Sequence, residues 1–227
     1  MPIPFHDDHY RVSANAEGQF MDDARAVLKN KNGITDPATL GAVEQEALIV
    51  AYKTVFSELH PDTAITSNLI RHVHATILGN LYEWAGRWRT VWISKPGVTW
   101  PAPDYLDDLM RSFEKEILRR YPAHRLTDDA LFCKAAAEIQ GEFLVIHPFR
   151  EGNARTIKLV TDVLASQTDR PPLRYDESET GRQQYIQAAL AAFDKGYGPM
   201  EDVIRSALER AKRRPPENRA GARASPS

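Results

Sequence analysis

The chain carries a single cysteine, Cys133, among its 227 residues. One thiol cannot close an internal disulfide, so a disulfide-stapled secreted framework is excluded and a reducing, cytoplasmic setting is expected. No stretch approaches the ~20 consecutive apolar residues of a membrane span. The opening MPIPFHDDHY has no apolar core, so it does not read as a secretory signal. Neither charge sign dominates: the formal net charge is -2, which argues against general affinity for nucleic acid or acidic membranes. HExxH is absent, and His60, His72 and His74 fit no common zinc spacing. They read as ordinary core or surface histidines. No repeat recurs at solenoid periods. What is present is a 42% hydrophobic composition, enough for the core of one large domain, or of one domain with a tail.

The densest chemistry lies in Ile146-His147-Pro148-Phe149-Arg150-Glu151-Gly152-Asn153-Ala154-Arg155-Thr156-Ile157-Lys158. Phe132, Ala135, Ala136, Ile139 and Phe143 recur at helical steps, which predicts a helix over 131–146. Pro148 disfavours helix at His147 and ends it. Ile157, Val160, Thr161 and Leu164 predict a second helix, beginning at Asn153 or Ala154 with Asn153 a good N-cap type. The unpaired N–H groups of such a helix start suit phosphate, and Gly152 lets the backbone come close. Arg155 and Lys158 are three apart, so they are expected to share a face and reach one anion. Glu151, with only Arg150 as a cation at short local spacing, is expected to be free to hold Mg²⁺. His147 can take a proton from an attacking hydroxyl.

This stretch resembles the Fic family signature, H-x-F-x-(D/E)-G-N-(G/K)-R-x-x-R, through His147, Phe149, Glu151, Gly152, Asn153 and Arg155. Ala154 stands where Gly or Lys is usual, and Lys158 where a second Arg is usual. The resemblance implies an enzyme that moves AMP from ATP·Mg²⁺ onto a hydroxyl of a target protein (AMPylation). His147 would be the base, Glu151 the metal ligand, and Phe149, Gly152, Asn153, Ala154, Arg155 and Lys158 the nucleotide-binding set. It also implies action as a toxin restrained by a small antitoxin, in the cytoplasm or as an exported effector. Lys158 keeps a charge but loses the bidentate fork. A Doc-like kinase moving the γ-phosphate, or a helical nucleotide-binding module without turnover, are therefore the alternatives.

Ser13-Ala14-Asn15-Ala16-Glu17-Gly18 fits the (S/T)-x-x-x-E-(G/N) pattern by which many Fic proteins inhibit themselves, with Glu17 presented to Lys158. The pattern is short and Gly18 is a poor helix residue, so a plain loop is the stronger reading. Asp22 to Lys31 reads as a short helix. Thr35 or Asp36, with Pro37, starts a long helix over 38–58. Thr66 or Ser67 caps the next, through Leu78.

Leu81-Tyr82-Glu83-Trp84-Ala85-Gly86-Arg87-Trp88-Arg89-Thr90 reads as a packed corner whose arginines tie loops together, and it is similar to the Fic segment that precedes the flap. Strand character over 90–94, a turn at Lys95-Pro96-Gly97 and a return over 98–100 predict a hairpin. By resemblance it is the flap, with Ile93, Ser94 and Lys95 pairing an extended target segment. Helices follow over 103–120, 176–193 and from Met200 to about Ala211. In "YIQAALAA", Tyr185 either stacks on adenine or belongs to the core. From Arg210 the chain reads as a disordered basic tail.

The expected division is an N-terminal arm over 1–36, a Fic-like domain over 37–209 and a tail over 210–227. The expected fold is all-α, a helical bundle with a small β-hairpin flap.

Overall fold

A computed structural model describes residues 16–21, 26–60 and 62–213. Seven α-helices and one two-stranded hairpin are found among them. The helices start where the sequence supplies a cap. Asp36 accepts the Thr39 amide at 2.7 Å ahead of α1 (Pro37–Glu58), with Pro37 in its first turn. Thr66 accepts the Leu69 amide ahead of α2 (Ser67–Leu78). The hairpin pairs β1 (Ser94–Lys95) with β2 (Val98–Thr99), antiparallel, Ser94 opposite Thr99 and Lys95 opposite Val98. Its strands are shorter than the periodicity predicts. Pro96 and Gly97 make the turn, Gly97 at φ +81°. α3 (Leu106–Glu116) follows, flanked by 3₁₀ turns at Pro103–Tyr105 and Leu118–Arg120.

The centre of the molecule is α4 (Asp129–Ile146), capped by Asp128. It is buried on almost every side because Ala135, Ala136, Ala137 and Gly141 let neighbours approach. α3, α5 (Asn153–Gln167), α6 (Glu179–Ala191) and α7 (Gly198–Arg213) all pack on it. α2 bridges α1 to α5 on the other side. Phe132, Phe143 and Phe149 are fully enclosed, each worth roughly 1.5–3 kcal/mol of burial. No helix among the described residues is long and apolar enough to cross a membrane.

Two local expectations are corrected. The helix expected from Asp22 is not formed over 26–31. Phe20 and Leu28 instead make an antiparallel bridge, with Met21 N–H donating to Val27 O at 2.8 Å and Lys29 N–H to Gln19 O at 2.9 Å. Val27, fully buried, anchors that bridge, so tertiary burial overrides the local helical tendency. At the other end, α7 runs through Arg213, so 210–213 belong to the helix. Arg210 pairs with Asp176 at 3.3 Å, and Lys212 with Asp129. The rest of the expected tail, 214–227, lies outside the described residues, as do Ser13, Ala14 and Asn15 of the expected inhibitory pattern.

Candidate active site

His147 ends α4 in the left-handed region, φ 50°, ψ 58°, with its N–H donating to Phe143 O. The chain can then reverse toward α5 without another turn of helix. The imidazole is half-buried and packs against Trp100 at the end of the hairpin, ring centroids 4.3 Å apart. Its Nδ1 lies 3.3 Å from Leu144 O. A carbonyl only accepts, so Nδ1 carries the proton and Nε2 keeps its lone pair. Burial, chiefly, pushes the His147 pKa down to about 4, with Arg89 and Lys95 acting in the same sense. The imidazole is therefore a neutral proton acceptor at pH 7. Lys95 on the hairpin is near enough for its charge to be felt there.

The bend after His147 is built by three side chains. Asn153 Oδ1 accepts the Phe149 N–H at 2.9 Å, and its Nδ2 donates to Phe149 O at 2.8 Å. Phe149 is thereby pinned into the core. Its ring lies on His74, whose Nε2–H donates to Glu151 O at 3.0 Å while Nδ1 accepts the Gly86 N–H at 2.7 Å. Gly152 caps α5 at φ +80° with no side-chain cap bond. An added Cβ there would lie 2.8 Å from Leu78 Cδ1, so only glycine fits. The first amides of α5, at Asn153, Ala154 and Arg155, have no intrahelical acceptor, and they begin just beyond the bend that carries His147.

Arg89 fastens this bend to the hairpin. It is 2% exposed, and its backbone N–H donates to Pro148 O, Nε–H to His147 O, Nη1–H to Val91 O and Nη2–H to Pro101 O, all within 2.7–2.9 Å. Burial draws its pKa down to about 10, which still leaves it charged. The arginine-tied corner read from the sequence is thus realised at the site itself.

The structure brings together His147, Glu151, Gly152, Asn153, Ala154 and Arg155, and rearranges what several of them do. Asn153 is the first helical residue rather than the cap, and its amide is spent on the Phe149 backbone rather than turned outward. Phe149 is fully buried and anchors the bend. Glu151 is not without a cation: Arg155, one helical turn on, lies 3.5 Å from its Oε1, which also accepts the Gly152 N–H at 2.9 Å.

Arg155 and Lys158 do not converge. Arg155 Nη1 donates to Glu44 on α1 at 2.9 Å. The Lys158 ammonium instead sits over the rings of Tyr175 and Tyr185, 4.3 and 4.1 Å from their centroids. Tyr185 is buried, donates to Gln140 Oε1 at 2.8 Å and has Lys158 over its ring, so it serves as core.

On the hairpin, Ile93 is buried with Val91 and Trp100. Lys95 is exposed and Ser94 half-exposed, and the exposed large side chain beside them is Trp92. Glu17 is buried, but its Oε2 accepts from Thr90, both N–H at 2.9 Å and hydroxyl at 2.6 Å, and Arg150 Nε–H donates to its carbonyl at 3.2 Å. Glu17 thus meets Thr90 rather than Lys158, so the weaker of the two readings, an inhibitory Glu17–Lys158 pair, is not found.

Two contributors carry no local sequence signal. Glu44 lies over a hundred residues before Arg155, and His74 reads as one more core histidine. The one hint was polar: each is a hydrogen-bonding residue on the inward side of its helix.

A Mg²⁺ ion fits here only in part. Glu151 offers a half-exposed carboxylate, and no cluster of three His, Cys, Asp or Glu ligands exists among the described residues. One carboxylate suits an ion whose other ligands are phosphates and water.

Residues 64–165 match the Fic/DOC family. The probable protein adenylyltransferase y4lH of Sinorhizobium fredii (strain NBRC 101917 / NGR234) is 28% identical over 180 residues, covering 79% of this chain and 90% of that protein. Protein adenylyltransferase VbhT of Bartonella schoenbuchensis is 26% identical over 193 residues, covering 83% of this chain but 38% of VbhT, so the chain spans well under half of that relative. Among solved structures, the VirB-translocated effector BepC of Bartonella tribocorum, with bound AMPPNP, matches with a TM-score of 0.67 at 19% identity, over 79% of this chain and 91% of the other. The helical body, the hairpin and the bend between α4 and α5 lie in the places that the motif implies, and residues 64–165 resemble the Fic/DOC family.

Proposed function

We propose that the chain transfers AMP from ATP to a hydroxyl side chain of a target protein. The observation that carries this is the neutral His147, with Nε2 unprotonated, at the bend whose amides open α5. The acceptor hydroxyl gives its proton to Nε2 while its oxygen bonds to the α-phosphorus. The α–β phosphoanhydride bond breaks, and pyrophosphate leaves. The α5 amides and Arg155 face the charge on the phosphates, and being fixed beforehand they need no reorganisation during reaction. Mg²⁺ held by Glu151 would supply further charge neutralisation between phosphates. The names of y4lH and VbhT and the nucleotide in BepC support the same reading.

The hairpin is proposed as the rail for the target, through Ser94 and Lys95, with Ile93 confined to its buried face. Glu17 does not lie on Arg155 or Lys158, which favours a separate antitoxin over self-inhibition as the restraint. A cytoplasmic site of action, or export as an effector, completes the proposal. Transfer of the γ-phosphate is the second reading, favoured by Lys158 resting on two tyrosines rather than facing the bend.

The test is a lysate supplied with α-phosphate-labelled ATP. Wild type is expected to label a protein, and His147→Ala to lose at least ~100-fold of that activity. Equal labelling by both variants refutes the base, and label arriving only from the γ-phosphate selects the second reading.

A further inference from the structure

We propose that Glu44 on α1 is a positioning residue for nucleotide binding, holding the Arg155 guanidinium in the orientation in which it meets phosphate. The inference rests on the nucleotide site proposed above. Both oxygens of Glu44 are committed. Oε2 accepts Arg155 Nη1–H at 2.9 Å, and Oε1 accepts the Tyr82 hydroxyl at 2.8 Å. Tyr82 cannot yield, since it is 2% exposed and its ring stacks on Trp84 at 4.4 Å. Burial, then the Glu44 charge, raise its hydroxyl pKa, so it remains a donor. The carboxylate is thus fixed from the side away from Arg155, and α1, α5 and the corner after α2 meet in one chain of bonds: Tyr82, Glu44, Arg155.

An arginine on an open helical turn has several rotatable bonds, and ordering it costs side-chain entropy. Glu44 removes that cost before the ligand arrives. Glu151 cannot do so alone. It stands farther off, at 3.5 Å from Nη2, and it is the carboxylate assigned to the cation. With Glu151 holding a cation, Glu44 would be the acidic group that still steadies Arg155. Its grip on Nη1 leaves Nη2, which Glu151 meets only at 3.5 Å, as the edge that an anion would take.

Two other roles predict different results. A mere tie between α1 and α5 affects folding but not affinity. A mask over Arg155 predicts that removing the carboxylate tightens binding. Binding of AMPPNP with Mg²⁺ to the full chain separates them, using wild type, Glu44→Gln, Tyr82→Phe, Arg155→Gln and the Glu44→Gln/Arg155→Gln double variant. Unfolding midpoints are measured in parallel.

Glutamine can accept from one of the two donors but opposes the other with its NH₂. Glu44→Gln is therefore expected to weaken binding about tenfold, in line with a lost charge-assisted bond. Tyr82→Phe, which keeps the stacked ring, is expected to weaken it about threefold. In the Arg155→Gln background Glu44→Gln should matter less than about twofold, because its effect passes through Arg155. Equal factors in both backgrounds, unchanged affinity, or tighter binding by Glu44→Gln overturn the proposal while leaving the nucleotide site standing. Absence of binding by wild type overturns both.

Discussion

The imidazole of His74 lies flat on the ring of Phe149, centroids 3.7 Å apart and planes within 11°. One residue thus serves the bend twice, by stacking on its buried anchor and by donating to the Glu151 carbonyl. His74→Ala should cost about 2–4 kcal/mol, through the cavity and the unpaired Gly86 and Glu151 backbone groups. It should also slow transfer about tenfold although His74 has no role in the chemistry, since small displacements of reacting groups are expensive. Denaturant unfolding and labelling rates at a temperature where the variant stays folded check both.

The same histidine makes stability fall in acid. Burial holds the His74 pKa at about 4 in the folded chain, against an ordinary 6.5. Between those values the unfolded chain binds more protons, so folding loses free energy as pH falls. The contribution is complete above about pH 6.5 and is lost as pH drops through about 4, at most about 3 kcal/mol. Urea unfolding at pH 7.5 and 4.5 should show the loss, and His74→Gln should lack much of it.

The transfer rate is expected to hold from pH 8 down to about 5 and then decline, because His147 takes its proton only near pH 4. A decline centred at 6.5 would show an exposed imidazole and contradict the burial described.

Gly152→Ala introduces a β-carbon at φ +80°, 2.8 Å from Leu78 Cδ1. It should cost about 1–3 kcal/mol of stability. It should also weaken AMPPNP binding more than about tenfold, since the bend must shift and carries the α5 amides with it. Calorimetric titration reads the second effect.

Lys158→Met keeps an apolar stem between Tyr175 and Tyr185 but removes the charge over their faces. A loss of about 1 kcal/mol of stability, with AMPPNP affinity changed less than about twofold, is expected. A large loss of affinity would show that Lys158 leaves the tyrosines to meet a phosphate.

The helices were legible because each stripe and cap is local: Asp36 with Pro37, Thr66, Asp128. So was the bend, since His147, Gly152 and Arg155 occur within nine residues. Where side chains end up was less legible. Arg155 and Lys158 share a face by spacing, yet Glu44 draws one toward α1 and two tyrosines draw the other toward α6. Asn153 looks outward in sequence and is consumed by the Phe149 backbone, while Glu151 gains a cation from the turn that follows it. The Glu44 and tyrosine contacts come from other elements of the fold, which no window of periodicity contains, while the Asn153 and Glu151 contacts are local but turn on the conformation of the bend.

Arg89 donates to carbonyls on both sides of the bend-to-hairpin seam. A guanidinium committed in this way cannot release one side without stranding buried acceptors on the other. The amides of the hairpin base and those flanking His147 should therefore exchange with deuterium at a common rate, as one opening unit. The hairpin proposed to guide the acceptor and the imidazole proposed to deprotonate it would then be lost and regained in a single event.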